Sequence, residues 1–83
     1  MKLLYFAWVR QKIGRSEEEI AVPAAVTTVG GLVEHLRSRG PGYEAAFRDP
    51  ALIRCAVNQE HARFDAKLGP NDEVAFFPPV TGG

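Results

Sequence analysis

Pro78-Pro79-Val80-Thr81-Gly82-Gly83 is the stretch of this sequence whose residue types point to chemistry. Prolines fix φ and lack an amide donor, so a sheet does not easily continue through Pro78 and Pro79, and the chain is expected to leave its domain there. Fully extended, the segment reaches roughly 20 Å at about 3.3–3.6 Å per residue, far enough to enter a pocket on another protein. Gly82 and Gly83 place no Cβ beside the last carboxylate, leaving it narrow enough for a tunnel and its carbonyl open to attack. Acyl transfer wants those features. A free carboxylate is a poor electrophile, because attack disrupts its resonance and must expel oxide. It would first be activated, most simply as an acyl-adenylate, by an enzyme supplying ATP. A closing Gly-Gly alone arises by chance in roughly one chain in 200 at an average glycine usage of about 7%. The competing reading is an ordinary disordered terminus, so the weight falls on the elements that would present the tail.

Those elements fit an α+β chain. Leu3 to Val9 is continuously apolar and aromatic-rich, which predicts a central strand needing cover on both faces. Gly14 to Ser16 reads as a turn, and Glu17 to Val22 as a second strand, hairpin-paired to the first and ending at Pro23. Thr27 and Thr28 offer an N-cap. Val29, Leu32, Val33 and Leu36 then repeat at helical spacing, with Glu34, His35, Arg37 and Arg39 pointing elsewhere, until Gly40-Pro41 stops the helix. Gly30 and Gly31 would each cost about 1 kcal/mol in a helix interior, but in the first turn they let the helix approach the sheet closely. Tyr43 to Phe47 reads equally as one more helical turn or as an ordered loop. Ile53 to Val57 is a third strand, Asn58-Gln59 a turn, His61 to Phe64 a short return strand, Gly69 to Asp72 another turn, and Glu73 to Phe77 the last strand. This order predicts a β-grasp domain over residues 1–77, a mixed sheet wrapped on one main helix, with a flexible extended tail over 78–83.

Composition narrows the function classes. Ten Lys and Arg balance ten Asp and Glu, which argues against nucleic-acid binding through bulk phosphate neutralisation. No stretch approaches the roughly 20 apolar residues that cross a bilayer, and the apolar start lacks a signal-peptide cleavage site. A single cysteine, Cys55, makes neither an internal disulfide nor a thiolate metal site, so a cytoplasmic, metal-free protein is expected.

At Asp72-Glu73-Val74-Ala75-Phe76-Phe77-Pro78-Pro79-Val80-Thr81-Gly82-Gly83 the chain closely resembles the C-terminal signature of the molybdopterin synthase small subunits, MoaD-type sulfur carriers of the ubiquitin-like β-grasp family. The likeness extends over nearly the whole length, with Leu3 to Arg10 and Val57-Asn58-Gln59-Glu60 also matching. Pro70-Asn71 departs from the family's usual glycine-containing turn, which bears on turn geometry alone. The resemblance implies that Gly83 is adenylated by an E1-like adenylyltransferase, then sulfurated at the expense of a sulfurtransferase to a thiocarboxylate. That group would donate sulfur to cyclic pyranopterin monophosphate held by the large synthase subunit, within a heterotetramer, to form the molybdopterin dithiolene. Catalytic side chains would belong to the large subunit, no cofactor would be bound permanently, and ATP would be used by the activating enzyme. Carriers for thiazole synthesis or tRNA thiolation share the Gly-Gly end, and a ubiquitin-like modifier would instead form an isopeptide bond through Gly83. Phe77-Pro78-Pro79 favours the first reading.

The partners must also recognise the domain. Both parities of Leu3 to Val9 and of Val74 to Phe77 carry large apolar residues, more than one helix covers, and a surplus apolar face suggests a protein interface. By resemblance, Phe6 and Phe77 are its exposed anchors with Arg10 at the rim, and Pro78, Pro79, Val80 and Thr81 continue it along the tail to Gly82. Alternation alone leaves a core position for both phenylalanines equally open. Cys55 reads as a small buried hydrophobe in place of a persulfide carrier. His35 and His61 lack further ligands at metal spacing and read as solvated. Glu17-Glu18-Glu19 reads as a solvated edge. Asp72 and Glu73 read as interface charges, with Asp72 alternatively closing the turn before the last strand.

Overall fold

Leu3 and Tyr5 turn to one side of an extended segment and are buried, as do Val74 and Phe76, and these two runs pair in parallel at the centre of the sheet. The computed structural model describes residues 1–79. Its strands are β1 (Lys2–Tyr5), β2 (Glu17–Glu19), β3 (Arg54–Val57), β4 (Glu60–Ala62) and β5 (Glu73–Phe77), in spatial order β2-β1-β5-β3-β4. β1 and β5 run parallel, and the other three pairings are antiparallel. Helices α1 (Ala7–Ile13), α2 (Val29–Arg37) and α3 (Pro41–Phe47) join them, with a 3-10 turn at Pro50–Leu52. The result is the α+β, β-grasp architecture. No helix among the described residues is long and apolar enough to cross a membrane.

The core lies between one face of the sheet and the helices. α2 begins where Thr28 Oγ1 accepts from the Gly31 amide at 3.1 Å, and its Val29, Leu32, Val33 and Leu36 are all buried. They meet Leu3, Tyr5, Cys55, Val74 and Phe76 from the sheet, and Phe47 from α3 stands edge-on to Phe76 at 4.9 Å. Each such side chain withdrawn from water contributes about 1.5–3 kcal/mol. The close approach at Gly30 is to the segment after β4: its amide donates to the Phe64 carbonyl at 2.7 Å, and a Cβ there would sit 3.3 Å from that oxygen.

Three expectations are corrected. The run Leu3 to Val9 is not one strand, because β1 stops at Tyr5 and Phe6 caps α1. Ala7 takes a positive φ of 53°, which turns the chain out of the sheet, and Val9 and Ile13, four apart, then sit on one helical face, with Gly14 ending the helix in the left-handed region. Unbroken apolarity fits a strand followed by a helix as well as it fits a longer strand. The second strand also pairs with β1 as expected but is shorter than Glu17 to Val22, and its connection carries α1. Of the two readings left open for Tyr43 to Phe47 the helical one holds, within α3, and α1 and α3 join the main helix α2 at the core.

The acidic run is the third correction. Glu17 and Glu19 are exposed, but alternation turns Glu18 inward, where its side chain keeps 5% of its surface. Oε2 accepts from Tyr5 and Tyr43, both at 2.7 Å, and Oε1 from Arg15 and Arg39, both at 3.2 Å. One carboxylate thereby ties β2 to β1, α3 and the segment after α2. Its desolvation opposes ionisation, but the bonds from Tyr43 and Tyr5 and the Arg39 guanidinium outweigh it and hold the carboxyl below its ordinary value. Burial, reinforced by Glu18, pushes the Tyr5 hydroxyl well up, so it stays a proton donor.

Candidate functional site: the open sheet face and the end of the last strand

Because β1 and β5 are parallel, both strands finish at the same end of the sheet. Tyr5 pairs with Phe76, and the Phe6 amide donates to the Phe76 carbonyl at 3.1 Å. Phe6 and Phe77 are thus the next residues along two neighbouring strands. Phe77 belongs to the parity opposite Val74 and Phe76, and so projects from the face that the helices leave open. Phe6 is 47% exposed and Phe77 half-buried, and neither belongs to the hydrophobic core. Arg10 is exposed on α1, and its backbone amide donates to the Phe6 carbonyl at 3.3 Å.

The same face continues as Leu4 on β1, Ala75 on β5 and Ala56 on β3, aligned by register, with His61 of β4 opposite Ala56 and Arg54 of β3 opposite Phe77. His61 and Phe77 meet edge-to-face, with centroids 5.4 Å apart. Arg54 Nη1 donates to the Ala51 and Ile53 carbonyls at 3.2 and 3.1 Å, which fixes its guanidinium near the sheet's end. The surplus of apolar residues on this face is smaller than sequence alternation suggests, since Trp8, which shares the parity of Leu4 and Phe6, lies in α1 and packs against the core. Leu4, Ala56, Ala75 and Phe77 remain. His61 and Arg54 went unremarked as members of this face in the sequence; the parity of Ile53 to Val57 held the signal for Arg54, but His61 needed the register of the β3–β4 hairpin.

Pro78 and Pro79 follow β5 directly and are half-buried. Val80, Thr81, Gly82 and Gly83, the rest of the expected site, lie outside the described residues. Asp72 closes the turn before β5: Oδ2 accepts from the Gly69 amide at 2.7 Å and Oδ1 from Asn58 Nδ2 at 3.0 Å. These bonds hold its carboxyl below the ordinary range. Asp72 precedes β5 and Glu73 begins it, at the end of that strand away from Phe77. Cys55 is buried, its Sγ 3.3 Å from the Ala62 carbonyl, and burial pushes the thiol up, away from the thiolate a persulfide carrier needs. His35 is half-buried on α2. Among the described residues no group of three or more His, Cys, Asp or Glu could hold a metal ion.

A hollow of about 380 Å³, lined by Met1, Val22, Val26, Leu68 and Pro70 among others, lies at the far end of the sheet from the tail, and a second, of about 340 Å³, lies along Lys2 and Glu17 to Glu19. Neither touches Phe6 or Phe77. The site is therefore a surface with a chain leaving its edge, suited to being held by another protein.

Comparisons with known proteins agree with this geometry. The model of the ThiS family matches residues 3–83. The chain is 43% identical over 83 residues to a protein of Escherichia coli named molybdopterin synthase sulfur carrier subunit, covering 100% of this chain and 99% of that one. Among solved structures it is similar to a putative molybdopterin converting factor subunit 1 from Pyrococcus furiosus, with a TM-score of 0.78 and 34% identity over 95% of each chain. It is also similar to small archaeal modifier protein 1 of Haloferax volcanii, with a TM-score of 0.78 and 28% identity over 96% of this chain and 97% of that one. A match running from β1 through the tail, on the fold those structures share, leaves one conclusion: the chain belongs to the ThiS family.

Proposed function

We propose that this protein is the sulfur carrier subunit of a molybdopterin synthase. The observation that carries the reading is the end-to-end likeness to a relative bearing that name, at 43% identity, which takes in the Gly82-Gly83 end. In this reading Gly83 is the reacting residue and Gly82 keeps the approach to it slim. An E1-like adenylyltransferase joins the Gly83 carboxylate to AMP from ATP, releasing pyrophosphate. Persulfide sulfur supplied by a sulfurtransferase displaces AMP to give an acyl disulfide, and a thiol reduces that disulfide to leave a thiocarboxylate. Its sulfur is the nucleophile toward cyclic pyranopterin monophosphate on the large subunit, and water returns Gly83 to the carboxylate. Each carrier delivers one sulfur, so two are used for each dithiolene. Phe6 and Phe77 anchor the domain on the partner, Arg10 lies at the rim, and Pro78, Pro79, Val80 and Thr81 occupy the channel leading to the pterin. The carrier holds no permanent cofactor, works with the large subunit in a heterotetramer, and acts in the cytoplasm where ATP and reduced sulfur are at hand.

Intact-mass spectrometry of protein from sulfur-replete cells tests this. A fraction heavier by the exchange of one oxygen for sulfur, localised to Gly83, is the expected result. A second reading, a protein modifier, is favoured by the likeness to the archaeal modifier of Haloferax volcanii. Gly83 found only in isopeptide bonds to other proteins would select it and remove the sulfur-carrier reading.

A further inference from the structure

β4 is an edge strand, and its register sets His61 in one row with Ala56, Ala75 and Leu4 across the open face. The imidazole is exposed, and its only aromatic neighbour among the described residues is Phe77, 5.4 Å away with ring planes at 87°. Side chains that flank a proposed anchor on the same face are covered when that anchor is covered. The charged groups sharing this face are Arg54 on β3, Glu73 on β5, Lys2 on β1, and Glu17 and Glu19 on β2, while Glu60 and Arg63 flank His61 on its own segment. Among the described residues none of these is hydrogen-bonded or ion-paired to the imidazole. Arg54 is held by the Ala51 and Ile53 carbonyls, Lys2 by Glu17, Glu19 by the Met1 amine and Arg63 by Asp65. Among the described residues an imidazolium here would have no hydrogen-bonded or ion-paired acid, and the fixed charge opposite Phe77 is the cation Arg54.

We propose that His61 makes the docking of this face on the large subunit pH-dependent, the neutral imidazole being accepted beside Phe77 and the imidazolium rejected. The proposal rests on the sulfur-carrier reading, and it commits to the large subunit because the tail that must reach the pterin leaves the sheet beside Phe77. Histidine is the side chain whose charge ordinarily changes between about pH 5 and 8. Taking the charged form out of water against Ala56, Ala75, Leu4 and Phe77 costs far more than taking the neutral form. Protonation and docking therefore oppose each other, and a fall in pH loosens the carrier from the synthase.

The test measures binding of the full chain to the large subunit by titration calorimetry between about pH 8 and about pH 5.5, where an imidazole changes charge. The unaltered chain is expected to lose about tenfold in affinity over that range, equivalent to about 1.4 kcal/mol. His61→Leu should flatten the profile and bind at least as well as the unaltered chain at the acidic end. His61→Gln, polar but not titrating, should also be flat, which separates charge from packing; unchanged thermal unfolding of both variants establishes that they fold. Subtracting the variants' profiles removes any histidines of the partner from the comparison. Parallel profiles for the unaltered chain and both variants, or an affinity that rises as pH falls, would overturn the role of His61 and leave the carrier reading standing. Failure of the unaltered chain to bind at any pH would overturn both.

Discussion

Phe76 and Phe77 are adjacent and chemically identical, yet the strand's alternation sends one into the core and the other to the open face. Phe76 is fully buried against Tyr5 and Phe47, so Phe76→Ala should cost about 3–5 kcal/mol of stability. Phe77→Ala should lower the unfolding temperature far less while weakening binding to the large subunit. Parallel chemical denaturation and binding titrations check both, and a larger loss of stability for Phe77→Ala would move that residue to the core. Glu18 is the residue that composition concealed. Its carboxyl sits below the ordinary carboxylate range in the folded chain, so the stability it contributes is present above the unfolded value of about 4.3. That contribution is lost as pH falls through the lower folded value. Glu18→Gln keeps the shape but loses the charge on four donors, and should cost about 1–3 kcal/mol at neutral pH. Urea melts at several pH values should show the difference between the two proteins shrinking in acid. A difference that grows there would refute the assignment.

At the scale of elements, strong local signals were legible and ambiguous ones were not. Thr28 and the apolar spacing from Val29 to Leu36 announced α2, because a cap and a 3.6-residue period both act within a few residues of themselves. The turn at Asn58-Gln59 was equally legible, and its φ values of 52° and 70° give the mirror-image turn that suits a tight hairpin. The break between β1 and α1 was not legible, because nothing local marks Phe6-Ala7 as a corner: it exists where Val9 and Ile13 can reach the core beside α3. α1 and α3 cross so closely that a Cβ on Gly42 would lie 2.6 Å from the Lys12 carbonyl oxygen. Gly42→Ala must push these helices apart, and should cost about 1–3 kcal/mol. Thermal unfolding measures this, and an unchanged midpoint would show that the crossing can relax.

For the whole molecule, the proposed function divides the labour between a sheet with one face sealed by three helices and the Gly82-Gly83 end of the sequence. In the proposed function these parts are separable. Deleting Gly83, or adding a residue after it, should leave the unfolding temperature within about 2–4 °C, since surface changes away from packed features alter stability by no more than about 0.5 kcal/mol. The same variants should abolish molybdopterin formation in a reconstituted synthase assay; normal product from either would defeat the proposed role of Gly83. The sequence by itself determined the order of strands, the main helix, the balanced charge and the chemistry available to a Gly-Gly end, since these follow from local propensity, periodicity and residue type. Only the tertiary structure decided that Leu3 to Val9 divides into strand and helix, that Glu18 turns inward while Glu17 and Glu19 do not, and that Phe6, Phe77, His61 and Arg54 gather at one end of one face. Those outcomes depend on strand register and on which helix covers which side, contacts between residues far apart in the chain that no local pattern records.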